Sequence, residues 1–146
     1  MVRTAPVAPV GLSKTARILV IDDDRVAGRS LCRALSVLRP TYAVDLATNG
    51  EAAISRLSGE GYDVVVMGLE LSSIPASALF ERIRREHPEV IRVAHSSQSE
   101  ATVRPDSRPR VDALVEKPGS PLELLRAIER ALTAEPEPRP AGRASE

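Results

Sequence analysis

Aromatic residues are nearly missing from this chain: two tyrosines, one phenylalanine and no tryptophan in 146 residues. A core therefore has to be built from aliphatic side chains and alanine, which the 42% hydrophobic content allows. There is a single cysteine, Cys32, so an internal disulfide is excluded; it falls on the apolar side of a predicted helix and reads as a small buried hydrophobe. Charge of either sign is not in excess, with 20 basic and 20 acidic residues. That removes the electrostatic case for nucleic acid or an anionic membrane as partner. No apolar run approaches the roughly 18–20 residues that would cross a bilayer, and "MVRTAPVAPVGLSK" at the start lacks the apolar stretch of a secretory signal. A cytoplasmic location follows by elimination.

What is present is an alternation of short apolar runs with helical patterns, of a length suited to one domain. Residues 1–14 and 134–146 have little to bury and are expected to be disordered tails around a folded unit over 15–133. Within it, "RILVID" (17–22), "YAVDLA" (42–47), "DVVVMG" (63–68), "VIRVAH" (90–95) and "DALVE" (112–116) read as strands. Three are almost continuously aliphatic, as expected where helices cover both faces of a parallel sheet. A first helix over about 25–38 carries a stripe of Ala27, Leu31, Ala34, Leu35 and Leu38, with Asp24 at its cap. A second follows "TNGE", with Thr48 and Glu51 placed for a capping box, and buries Ala53, Ile54 and Leu57. A third, 76–86, opens after Pro75 and turns Leu79, Phe80 and Ile83 inward, leaving its arginines as a solvated face. The last, "SPLELLRAIERAL", has Ser120 as N-cap, Pro121 at the first position and a stripe of Leu124, Leu125, Ile128 and Leu132. A further crossover helix, fourth in order, is expected over 99–110 but to be short or missing, because Pro105 and Pro109 each break a helix interior by about 3 kcal/mol. The pattern is that of an α/β doubly wound parallel sheet of five strands, whose site lies at the carboxyl ends of its strands.

Those ends carry Asp22, Asp23 and Asp24 after the first run, Gly68 and then Glu70 after the third, His95, Ser96 and Ser97 after the fourth, and Glu116, Lys117 and Pro118 after the fifth. Carboxylates, a hydroxyl and a lysine around one crevice suit Mg²⁺-assisted phosphoryl chemistry. The chain resembles the receiver domain of bacterial response regulators over nearly all of 15–133, a flavodoxin-like fold. The resemblance rests on "ILVIDDDRVAGRSL", "LATNGEAAISRL", "YDVVVMGLELSSIPASALFERIRREHP", "IRVAHSSQSE" and "ALVEKP", in order and at matching spacing. It implies an acidic, metal-binding pair at Asp22 and Asp23, a switch hydroxyl at Ser96, a phosphate-side lysine at Lys117, and a role in two-component signalling.

The departures are as informative. The family's phosphorylated aspartate aligns with Gly68, which has no nucleophile. Glu70 shares its strand parity but lies roughly 6.6 Å further along, and Asp63 sits at the opposite end of the run. The aromatic switch position is Leu114. A stand-alone pseudo-receiver is expected, non-enzymatic, acting by phosphorylation-independent binding to a signalling protein. A histidine kinase, another response regulator, a localisation factor or a second copy forming a homodimer would serve. No cofactor is expected beyond weak Mg²⁺ at Asp22 and Asp23, which Lys117 or Arg25 could otherwise neutralise. The competing expectation is a ligand-gated sensor holding a small polar molecule or anion in the former phosphorylation crevice. His95 reads as a buried histidine; it forms no dyad with Ser96, since adjacent strand residues point to opposite faces.

Overall fold

A computed structural model describes residues 15–68, 76–96, 113–116 and 120–133. The elements are β1 (Ala16–Ile21), α1 (Arg25–Leu38), β2 (Tyr42–Ala47), α2 (Gly50–Gly59), β3 (Val64–Met67), α3 (Ala76–Glu86), β4 (Ile91–Ser96), β5 (Ala113–Glu116) and α4 (Pro121–Thr133). All five strands run parallel in the order β2-β1-β3-β4-β5. The doubly wound α/β sheet expected from the apolar runs is thus present. Each observed strand begins and ends within one residue of its run. Both tails, and the crossover over 99–110, lie outside the described residues.

The sheet separates two aliphatic cores. Alternation along each strand sends Leu19, Ile21, Val65, Met67 and Ala94 to one face, where Ala53 and Leu57 of α2 and Leu79, Phe80 and Ile83 of α3 cover them. Ile18, Val20, Val64, Val66 and Val93 point the other way, against Leu35 of α1 and Leu124, Leu125 and Ile128 of α4. Ile18–Ile21 of β1 and all of β3 are buried on both faces, which is why these stretches are unbroken in Val, Ile, Leu and Met.

Local signals set the helix ends. The Asp24 side chain accepts from Ala27 N at 3.1 Å, and the Ser120 hydroxyl accepts from Glu123 N at 3.1 Å, so both caps stand where their residue types predict. The second cap differs. It is Asn49, whose side chain accepts from Ala52 N at 2.7 Å, and not Thr48. Asn is at least as good a cap, and α2 starts one residue later as a result.

The inward face of α1 also differs from the expected stripe. Leu35 is fully buried, Leu31 and Cys32 pack beside it, and Gly28 is buried where the helix meets β2. Ala27 and Leu38 are exposed. The cause is Gly28: a Cβ there would stand 2.6 Å from Leu46 Cδ1 and 3.3 Å from Asp22 Cβ. Without that methyl the helix rolls its glycine onto the sheet, which turns Ala27 and Leu38 to the margin. Arg82 and Glu86 pair at 3.0 Å and Arg84 pairs with Glu81, so the outer face of α3 is a solvated face of ion pairs.

Candidate functional site

Register assembles the crevice. Ile21 is paired with Met67, and Met67 with Ala94, which is paired with Leu114. One step further along the strands stand Asp22, Gly68, His95 and Val115. By parity with Val20, Val66 and Val93 this row faces the α1/α4 layer. Ser96 is the last residue of β4, paired through its backbone with Glu116 at the end of β5. Lys117 lies outside the described residues, as do Glu70 and the side chain of Ser96. Asp22 and Gly68 therefore follow neighbouring strands directly, with Asp23 at the next position on the β1 side.

The loop after β1 is tied down. Asp22 N donates to Ala47 O at 3.0 Å, holding the strand end against β2. Asp22 Oδ1 accepts from Asp24 N at 2.9 Å, a short turn that presents Asp24 to the start of α1. Asp22 is half-buried, and Asp23 and Asp24 are exposed. Of the three acids, Asp24 is committed to capping and Asp22 uses one oxygen on its own loop. Gly68 is half-buried and brings no side chain to the space beside Asp22. Its His95 neighbour is half-buried too, with Nε2 shielded from solvent. Leu114 packs at the edge of the α2/α3-side core.

A resident Mg²⁺ fits this donor set poorly. An ion held by one or two carboxylates completes its octahedron with substrate phosphate oxygens and waters, and Gly68 has no group that could carry a phosphoryl. Among the described residues no cluster of three or more His, Cys, Asp or Glu is placed to hold a metal.

A second polar assembly, which the linear pattern did not reveal, lies at the opposite, amino-terminal edge of the sheet. Arg17 on β1 reaches Asp45 on β2 at 3.1 Å and Glu60 at 2.5 Å. Tyr62 donates its hydroxyl to Asp45 Oδ2 at 2.7 Å, and the Arg17 guanidinium sits 4.7 Å from the centre of the Tyr62 ring. Arg56 approaches both acids, at 3.8 and 3.7 Å. Burial first, and then the bond to Asp45, push the Tyr62 phenol above its ordinary value. The bond to Glu60 is the main reason the Arg17 guanidinium is held above its own. The assembly ties α2 and the following turn to β1 and β2. It leaves no open coordination site and serves structure. The signal was there: Arg17 and Asp45 interrupt two apolar runs at positions on one face.

Residues 18–129 match the response regulator receiver domain, and the chain belongs to that family. Among curated relatives, the response regulator MprA of Mycolicibacterium vanbaalenii is 33% identical over 119 residues, 80% of this chain and 49% of that protein. The transcriptional regulatory protein QseB of Haemophilus influenzae is 34% identical over 74 residues, 51% of this chain and 33% of that protein. The chain thus spans about a third to a half of these relatives' length. Among solved structures, a CheY-like receiver domain from Methanospirillum hungatei superposes with a TM-score of 0.71 at 20% identity, covering 82% of this chain and 94% of that one. The response regulator TrrA of Thermotoga maritima, solved with Mg²⁺ and BeF, gives 0.68 at 24% identity, covering 80% and 98%. At such identities the structural likeness is one of fold. No described helix is long and apolar enough to cross a membrane.

Proposed function

We propose that this receiver domain signals by phosphorylation-independent protein–protein binding. The observation that carries the proposal is Gly68, which directly follows β3 beside Asp22 and offers no carboxylate to form an acyl phosphate. A receiver without an acceptor keeps its shape and its surfaces and no other output. In this reading Asp22 and Asp23 are an acidic pocket without a resident Mg²⁺, Ser96 and Lys117 remain as the switch hydroxyl and the lysine of a former phosphorylation site, and the domain is not an enzyme. The partner is a cytoplasmic signalling protein, such as a histidine kinase, another response regulator or a localisation factor, or a second copy of the chain. Neither nucleic acid nor membrane is required.

The competing reading, a small polar molecule or anion held above Gly68 by Asp22, Asp23, Ser96 and Lys117, is weakened by Asp22. Its Oδ1 is already taken by Asp24 N, and two carboxylates at one rim repel an anion. The test is native mass spectrometry of the protein isolated gently from its own cells. A stoichiometric protein adduct that survives phosphatase treatment is expected. An adduct of a few hundred daltons that is lost on denaturation would replace this reading with the sensor.

A further inference from the structure

We draw no further inference here: the strongest candidate, the groove of about 360 Å³ between the edge strand β5 and α4 lined by Ala113, Val115, Arg126 and Arg130, carries none because nothing in the structure shows what covers it.

Discussion

Replacing Gly28 by alanine sets two known effects against each other. Within a helix interior, alanine is favoured over glycine by about 1 kcal/mol, so a freely exposed position would gain. Here the new Cβ would stand 2.6 Å from Leu46 Cδ1, roughly 1 Å inside ordinary contact, and 3.3 Å from Asp22 Cβ. The leucine end can rotate away in part. The Asp22 carbon cannot, because its residue is held by the Ala47 carbonyl on one side and by Asp24 N on the other. Overpacking costs about 1–3 kcal/mol, so Gly28→Ala should destabilise by a net of about 1 kcal/mol, or about 3–5 °C in Tm for a domain of this size. The informative comparison is a double-mutant cycle with Leu46→Ala, read by urea denaturation. Removing the leucine end should turn the Gly28→Ala effect neutral or stabilising, a coupling of about 1 kcal/mol or more. If alanine at 28 raises stability in the unaltered chain, or acts equally in both backgrounds, the close approach of α1 to the sheet is not what sets the crevice loop.

Other perturbations have equally definite outcomes. Phe80→Ala empties a fully buried site between α3 and the sheet and should cost about 3–5 kcal/mol by denaturant titration. Tyr62→Phe removes the donor to Asp45 and should cost about 1–2 kcal/mol, with no change at the opposite edge of the sheet in amide shifts. Burial first pushes the phenols of both Tyr62 and Tyr42 upward. The neutral phenol is then the form the fold prefers. Its contribution is complete below the ordinary value of 10.0 and is lost as pH climbs through the raised one. Alkaline unfolding monitored by circular dichroism should accordingly be less steep in Tyr62→Phe. Burial also lifts the Cys32 thiol to about 11, so alkylation by iodoacetamide at pH 8 should run at least tenfold slower than in the unfolded chain.

Which parts of this molecule could be read from residues alone follows from how local their causes are. The inner part of the sheet was visible because strands covered on both faces demand nearly continuous apolar runs such as "VVVM", and the remaining strands because their short apolar runs alternate with helical patterns. The caps at Asp24 and Ser120 were visible because a side chain and an amide three residues away complete them. Thr48 and Asn49 are both good caps in adjacent positions, and the choice between them depends on where α2 meets the sheet, which the linear pattern does not contain. The roll of α1 failed for a related reason: a glycine inside a helical pattern signals a close approach, but the apolar stripe was drawn through Ala27 and Leu38 instead. The network of Arg17, Asp45, Arg56, Glu60 and Tyr62 needs the β1–β2 register to come together. At the crevice, position along β3 is local and so places Gly68 directly after the strand, but that a carboxylate is expected there comes from the family resemblance; Lys117 lies outside the described residues.

The central claim is best tested by intact-mass spectrometry after incubating the chain with acetyl phosphate and Mg²⁺, next to a Gly68→Asp variant. The unaltered chain should gain no phosphoryl group at any time, while the variant, with an acceptor restored beside Asp22 and Asp23, should gain one that hydroxylamine removes. A phosphoryl group mapped to an acidic residue of the unaltered chain would contradict the account.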